Sequence, residues 1–446
     1  MSDPTTTVTT PDDLLHESKI TPVQFGILAL CYIAYILDGF DVVIISFTAP
    51  AISADWGIGA DQLGLVFSAG VLGMTLGAMF LSSLADLYGR RLIVTVMLLL
   101  SGVATFGVIY VTTVPQLIVL RLIAGLGLGA LVATLAPLCG EYSPKRYRTL
   151  ILAILFSGGA MGPVLGGLVT APLVVEYGWR PIFQYAGLIT ILMGVLVYLI
   201  VPESMAYLIR RQPEQALPKV NRILRYIGQR PIERLPEVDV ATAQESASVV
   251  SLLIPSRRAR TLMIWLTFFL AFLTVYFLTS WVPQILVNVG FSQELAIQGT
   301  VLIPLGSILG TMVFGWLARW FALNRIIAVV FVAGALCIAM LSGLLRSYDG
   351  GSYALIWVML FLVGITLMGA FTNLYTVAMT MYPAQVRSTG LGWAAGLGRG
   401  GAVISPALAG FLIVLGVSMP ALFLYFAVPA LLAAAGAAFV SMKEMA

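Results

Sequence analysis

Two aspartates interrupt an otherwise apolar stretch near the N-terminus. Asp38 and Asp41 lie within the run from Val23 to Ile52, and because they are three residues apart, a helix places both on one face. A carboxylate inside a membrane must face the protein interior, pair with a cation or bind a proton. Protonation of one member of a close pair relieves both its burial and the mutual repulsion. The pair is therefore a candidate proton-coupling site that titrates jointly, unless one aspartate is permanently salt-bridged or caps a helix break at Gly39.

Other groups that could handle a proton are scarce. The single histidine, His16, lies in the polar N-terminal segment, and the apolar runs of the second half contain no Asp or Glu. Glu141 is a third candidate for proton coupling because it lies at the end of an apolar run in the first half. Its neighbours Lys145 and Arg146 favour an interfacial salt bridge or a gate contact instead. Proton handling is therefore predicted to depend on the first half of the chain.

Two arginines inside apolar runs are the cationic counterpart. Arg121 lies on a stripe with Gly125 and Gly129, and Arg399 lies within the glycine-rich segment "GLGRGG". An arginine fork fits a carboxylate, whether on a substrate or on an aspartate of the protein. Both alternatives stay open for Arg121. For Arg399 a substrate carboxylate is favoured, because its half supplies no acid inside an apolar run.

Aromatic and amide side chains could complete a binding pocket near these charges. The candidates are Tyr276, Trp281, Phe371, Asn373, Tyr375 and Trp393. Such residues combine ring stacking with hydrogen bonding to ring hydroxyl groups. The alternative for each of them is a packing or lipid-facing position, which abundant aromatic residues also occupy in membrane proteins.

The composition indicates that these residues belong to an integral membrane protein. Hydrophobic residues make up 60% of the chain, charged residues make up 10%, and the mean hydropathy is +0.99. About 20 apolar residues are needed to cross the bilayer core as a helix, and about a dozen such runs are present. They lie near 23–50, 62–84, 92–112, 115–139, 149–173, 182–201, 261–288, 296–318, 325–345, 353–380, 389–416 and 420–441. Lys and Arg concentrate in alternate loops, which places both termini in the cytoplasm and requires an even number of spans.

The same composition argues against several classes of function. The three cysteines all fall in apolar runs, so they indicate neither a disulfide framework nor a metal cluster. No His/Cys cluster, nucleophile motif or phosphate-binding loop is recognisable in the sequence. An enzyme is therefore not expected, and no cofactor or metal is predicted.

A polar loop near 203–260 divides the chain into two sets of six spans. The predicted parts are an N-terminal tail (1–22), a six-helix bundle (23–202), a cytoplasmic linker (203–260), a second six-helix bundle (261–441) and a C-terminal tail (442–446). In the linker, the apolar residues Leu217, Val220, Leu224 and Ile227 recur at helical spacing, which indicates an amphipathic helix on the inner leaflet or a solvated linker helix. A short repeat, "LADLYGRR" at 84–91 and "LARWFALNR" at 317–325, supports two related halves. The predicted fold is an all-α membrane protein of twelve transmembrane helices in two pseudo-symmetric six-helix bundles.

Two motifs of the first half resemble the major facilitator superfamily. Residues 82–91, "SSLADLYGRR", resemble its loop 2–3 signature, although Ser82 replaces the usual glycine and Leu87 the basic residue. Residues 121–129, "RLIAGLGLG", resemble its helix-four motif. Charges at the predicted inner interface can pair in one state and separate in another, so they are predicted to form a cytoplasmic gate. The gate residues are Asp86, Gly89, Arg90, Arg91 and Arg387. Because Arg319 replaces the acid in the second half, the gate charges are asymmetric.

A narrower resemblance is to the aromatic acid:proton symporter family. It rests on "LDGFD" in the first span, on residues 276–283 and on "YPAQVRSTGLGWAAGLGRGGAVISP" at 382–406. The resemblance implies a monomeric bacterial inner-membrane protein that imports an aromatic or ring-cleavage acid with protons by alternating access, in support of aromatic catabolism. Its expected partners are the acid, protons and the lipid bilayer, and no nucleic acid.

Two other functions stay open at this point. The glycine-rich segment "GGAMGPVLGG" at 158–167 resembles a motif often noted in antiporters, which would suit an exporter of drugs or organic acids, but its glycines also form a close-packing stripe. A membrane sensor or receptor with a transporter-like body is the alternative from another class. The lack of a sizeable soluble domain argues against it.

Overall fold

The computed structural model describes residues 20–235, 249–255, 257–383 and 386–440, and these form twelve helices long and apolar enough to cross a membrane. The number of spans predicted from the sequence is therefore confirmed. The helices are α1 (Pro22–Trp56), α2 (Ala60–Leu81), α3 (Arg90–Tyr110), α4 (Val114–Glu141), α5 (Arg148–Tyr177), α6 (Arg180–Ile200), α7 (Arg258–Asn288), α8 (Gln293–Leu317), α9 (Leu323–Arg346), α10 (Ala354–Met381), α11 (Arg387–Val414) and α12 (Met419–Phe439). The predicted tails, with His16 and Lys443, lie mostly outside the described residues, and the predicted domain limits stay predictions.

The helices pack as two halves with the same arrangement. In the first half α1 packs on α5, α2 on α4, and α3 on α6. In the second half the matching pairs are α7 with α11, α8 with α10, and α9 with α12. Between the halves α2 packs on α11, and α5 packs on α8. The relation that matches the helices of one half to those of the other converts each of these two contacts into the other. This pairing confirms the predicted pseudo-symmetric bundles.

The first helix is continuous through the aspartate pair. It runs for 35 residues without a break, so the proposed helix break at Gly39 does not occur. Gly39 instead allows close approach of α5, because a Cβ atom there would lie 2.5 Å from the carbonyl oxygen of Gly159. Gly162 and Gly166 of α5 face Ile36 and Phe40 in the same contact. The glycines of the "GGAMGPVLGG" segment therefore serve packing of α1 on α5.

Part of the linker folds onto the first half. Short helices span Met205–Arg211 and Ala216–Tyr226. The apolar face of the second helix is buried, with Val220 and Leu224 fully shielded in a cluster that includes residues of α1, α4 and α6. The sequence left two positions open for this helix, on the inner leaflet or free in solvent. Because its apolar face contacts protein, the helix neither lies on the leaflet through that face nor stands free in solvent.

The halves meet closely at the end that includes the loop between α1 and α2, which the sequence predicts to be the outer side. The hydroxyl of Ser46 donates to the carbonyl of Ser280 at 2.8 Å, and the side-chain amide of Gln293 donates to the carbonyl of Phe47 at 3.2 Å. In α2, a Cβ atom at Gly64 would lie 2.7 Å from the carbonyl oxygen of Pro406 in α11. Backbone contacts this close leave no passage between α2 and α11 at that end.

Candidate functional site

One aspartate of the pair is held by an arginine. An Asp41 carboxylate oxygen lies 3.4 Å from Nη1 of Arg121, and both side chains are almost completely buried, at 6% and 3% exposure. The hydroxyl of Thr105 donates to Asp41 at 3.0 Å and accepts from Nη2 of Arg121 at 2.9 Å, and the hydroxyl of Ser101 reaches Asp41 at 3.4 Å. Arg121 therefore has a partner within the protein, which is one of the two alternatives that the sequence left open.

The other aspartate has a different environment. Asp38 is 5% exposed, and its Oδ1 atom has no hydrogen-bond partner. It lines a cavity of about 380 Å³ between the two halves, whereas Asp41 and Arg121 line a small neighbouring space of about 30 Å³. The two carboxylates lie on one face of α1 but line different, neighbouring spaces. Asp38 is the member of the pair that can bind a proton without losing an existing contact.

The wall of the larger cavity combines rings and hydroxyl groups from both halves. The aromatic lining residues are Tyr35, Phe47, Phe156, Tyr276 and Phe371. The hydroxyl-bearing lining residues besides the tyrosines are Thr279, Thr300, Ser307 and Thr372. A space of this size, mostly apolar with a few polar groups, is typical of a small-molecule site.

Arg399 does not line this cavity but lies near residues that do. It is half-buried, and its Nη1 atom donates to the carbonyl of Met74 at 3.1 Å, so it joins α11 of the second half to α2 of the first. It interacts electrostatically with Asp38 and with the tyrosine hydroxyls of Tyr276 and Tyr375. Within the described part of the chain it forms no salt bridge, and the guanidinium group has five N–H donors. Spare donors therefore remain for an anionic ligand.

Three of the six predicted pocket residues lie at or beside the cavity. Tyr276 and Phe371 line it. Tyr375 packs edge-to-face on Phe371 at 5.8 Å and on Phe268 at 5.1 Å, one layer behind the wall. These rings come from α7 and α10 and form the wall of the second half.

The other three predicted pocket residues do not line this cavity in the described conformation. Trp281 is fully buried between the halves, where its indole N–H donates to the carbonyl of Pro406 at 3.1 Å. Asn373 is directed at α8 and at its own helix, with its amide donating to the carbonyls of Thr311 and Gly369. Trp393 is 43% exposed and stacks on Trp265, with ring centroids 6.0 Å apart. The buried polar groups of Trp281 and Asn373 are satisfied by helix packing.

Most of the predicted gate charges form a cluster at the other end of the first half. Arg90 pairs with Glu141, and its second nitrogen lies 3.8 Å from Asp86. Glu141 also accepts from the hydroxyl of Ser204 at 2.8 Å. Since Glu141 is 20 residues after Arg121 on α4, it lies about 30 Å away along that helix. The structure thus places Glu141 with the gate charges and not with the aspartate pair.

Glu203 completes this cluster by holding the start of α3. Its carboxylate accepts the backbone N–H of Arg91 at 2.9 Å and that of Ser204 at 2.8 Å, a favourable position for an anion at a helix N-terminus. Gly89, with φ 103°, leaves room for it, because a Cβ atom there would lie 2.5 Å from the Glu203 carboxylate. Arg387 donates to the carbonyl of Tyr382 at 3.2 Å within the second half, apart from these contacts.

Sequence reasoning missed three kinds of partner. Ser101 and Thr105 are four residues apart on α3, so their spacing could have identified a polar stripe facing the aspartates. Glu203 was visible in the sequence as the acid that follows Pro202. The carbonyl of Met74 left no sequence signal, because any residue supplies a backbone oxygen.

Twelve membrane-spanning helices in two related halves, with an aromatic-lined cavity between the halves, define a membrane transport protein of the alternating-access class. The Major Facilitator Superfamily pattern matches residues 31–406, and the chain belongs to this superfamily. The chain is 32% identical to the 4-hydroxybenzoate transporter PcaK of Pseudomonas aeruginosa, covering 94% of this chain and 93% of the relative. It is 33% identical to a gallate transporter of Pseudomonas putida, and the match covers 95% of this chain and 93% of the relative. The solved structure of a D-xylose-proton symporter has the same fold, with a TM-score of 0.74 and a sequence identity of 16%. The match covers 94% of this chain and 99% of that chain.

Proposed function

We propose that this protein imports an aromatic carboxylic acid together with protons across a bacterial inner membrane, as a monomer that works by alternating access. The observation that carries the proposal is Asp38, a buried carboxylate without a partner at Oδ1, in an aromatic-lined cavity between the halves and within electrostatic range of Arg399. The names of the two relatives, a 4-hydroxybenzoate transporter and a gallate transporter, support the substrate class.

The charges of the cavity link proton binding to acid binding. An ionised Asp38 repels a substrate carboxylate and competes for Arg399. A proton on Asp38 removes both effects and leaves the guanidinium group free for the acid. Proton and anion therefore favour each other's binding, and by linkage the effect is reciprocal. Tyr35, Tyr276 and Phe371 supply ring contacts, and nearby hydroxyl groups such as Ser307 supply partners for ring substituents.

The distribution of basic residues supports an orientation with both termini in the cytoplasm. Arg90 and Arg91 and the basic linker lie at the end opposite the loop between α1 and α2. In this orientation the close contacts of α2 with α11 seal the periplasmic side. The described conformation is then closed on the periplasmic side.

Uptake into liposomes tests the proposal. Purified protein is reconstituted with a buffer inside that is one pH unit more alkaline than outside, and radiolabelled 4-hydroxybenzoate, gallate, benzoate and xylose are compared. Accumulation of an aromatic acid, but not of xylose, is expected, and it should collapse with a protonophore. Accumulation only when the interior is the more acidic side would identify an antiporter, and binding without any flux or counterflow would identify a sensor.

A further inference from the structure

A second cleft, of about 550 Å³, lies where α6 ends, outside the transport cavity. It is bounded by the end of α6, by the start of α3 and by the two short linker helices. Its charged lining residues are Arg91, Lys219, Arg222 and Glu203. We call this space the linker cleft.

The cations of the linker cleft form no ion pairs with the residues that the structure describes. The carboxylate of Glu203 is already used by the backbone N–H groups of Arg91 and Ser204. Lys219 donates to the backbone carbonyl of Glu214 at 3.0 Å. Within the described ranges, none of the three basic side chains of the cleft forms a salt bridge. The cleft therefore has an excess of positive charge.

Arg91 adds a more specific signal. Its Nε atom is shielded from solvent and has no hydrogen-bond partner, and the guanidinium group lies over the ring of Tyr198 at 4.9 Å from the centroid. Stacking fixes the plane of the guanidinium group, and a fixed planar fork suits the oxygens of a phosphate group. A buried N–H donor without a partner requires an explanation, and a ligand oxygen would supply one.

The side of the linker cleft formed by α6 is apolar and exposed. Leu199 is 70% exposed, and Tyr198 and Tyr226 are both nearly half exposed. Near the cytoplasmic end of a membrane helix, such leucines contact lipid chains, and tyrosines lie at the level of the headgroups. A ligand in the cleft would thus have its anionic end among the cations and a hydrophobic tail along α6.

We propose that the linker cleft binds the phosphate headgroup of an anionic phospholipid of the inner leaflet. Arg91 and Arg222 would bind the phosphate oxygens, Lys219 would contribute charge, and the acyl chains would lie along Leu199 and the neighbouring surface of α6. Such a lipid would join the start of α3 to the helix Ala216–Tyr226. It would thereby keep the linker docked on the first half.

Lipid retention in native mass spectrometry tests the proposal. The whole protein in detergent is titrated with phosphatidylglycerol or with phosphatidylcholine of the same acyl chains. The variant Lys219→Gln/Arg222→Gln is compared with Arg225→Gln/Arg230→Gln, a control that removes two exposed cations of the same segment outside the cleft. The wild type and the control should retain phosphatidylglycerol preferentially. Each cation removed from the cleft should weaken its binding by about fivefold, or about 25-fold for the pair.

Three results would overturn the proposal. These are equal retention of both lipids by the wild type, equal loss in the cleft and control variants, and binding of soluble glycerol 3-phosphate as tight as that of phosphatidylglycerol. The last result would assign the site to a free phosphate compound. Because all four substituted side chains are exposed, folding of the variants should be unchanged, and size-exclusion profiles check this.

Discussion

The aspartate pair of α1 allows proton coupling to be tested by one substitution made at two positions. Asp38→Asn and Asp41→Asn each exchange a carboxylate for a neutral amide of nearly the same shape, about one helical turn apart. Asp38 has an oxygen without a partner, whereas Asp41 is bound by Thr105 and Arg121. The same change should therefore abolish coupling at position 38 and destabilise the protein at position 41.

At position 38 the expected effect is on accumulation. If one proton accompanies each monovalent carboxylate, the cycle is electroneutral, and a gradient of one pH unit supports about tenfold accumulation, equivalent to about 1.4 kcal/mol. The Asp38→Asn variant should equilibrate the acid without concentrating it, while counterflow without a pH gradient persists. The assay is radiolabelled uptake into liposomes with and without the gradient. Undissociated acid also enters through the bilayer, so uptake is counted only above that of protein-free liposomes. Tenfold protein-dependent accumulation by Asp38→Asn would refute proton binding at Asp38.

At position 41 the expected effect is on stability. Asp41→Asn leaves the guanidinium group of Arg121 buried without an anion, which typically costs about 3–5 kcal/mol. Tryptophan fluorescence during thermal unfolding in detergent should show a lower melting temperature than for Asp38→Asn. The double variant Asp41→Asn/Arg121→Gln should recover much of the loss because no charge stays buried. Equal melting temperatures for the two single variants would mean that the observed pair does not stabilise the fold.

Two further substitutions test the anion site and the helix contact beside it. Arg399→Gln should weaken binding of the transported acid by about 10- to 150-fold in a thermal-shift titration, because a charged hydrogen bond contributes about 1.5–3 kcal/mol. Unchanged affinity would exclude Arg399 from the site. Gly39→Ala should destabilise the protein by about 1–3 kcal/mol through overpacking against Gly159. Gly26→Ala on the same helix is the matched control, since a Cβ atom there meets nothing within 4 Å, and equal melting temperatures would contradict the close approach of α1 and α5.

The number of spans and the residues of the charged centre could be predicted from sequence because both are local properties. A run of apolar residues long enough to cross the bilayer is visible in the sequence, and an ionisable residue inside it is conspicuous. The sequence could not show whether Asp38 or Asp41 is the partner of Arg121, because this pairing is not a local property. It depends on the rotation of α1 and on how closely α3 and α4 approach it, which side-chain spacing on one helix does not determine.

The pocket lining was harder to predict for a related reason. Trp281 and Tyr276 lie about one and a half turns apart on α7, and both are large, aromatic and able to donate a hydrogen bond. Tyr276 faces the cavity, whereas Trp281 fills the contact between α7 and α11 and donates to a backbone carbonyl. Composition describes the two side chains as equivalent. They differ in the face of α7 that each occupies and in what packs against that face.

The contact between Arg399 and Met74 joins the proposed anion site to the interface between α2 and α11. In the proposed cycle Arg399 has two competing acceptors, the carbonyl oxygen of Met74 and the carboxylate of the substrate, and a carboxylate forms the stronger charge-assisted hydrogen bond. Arg399 lies on α11 and Met74 on α2, and these two helices also seal the predicted outer side where Gly64 meets Pro406. Binding of the acid therefore acts directly on the contact between α2 and α11. A ligand shifts a conformational equilibrium only by its differential affinity for the two states, and here that difference arises because Arg399 exchanges one acceptor for the other.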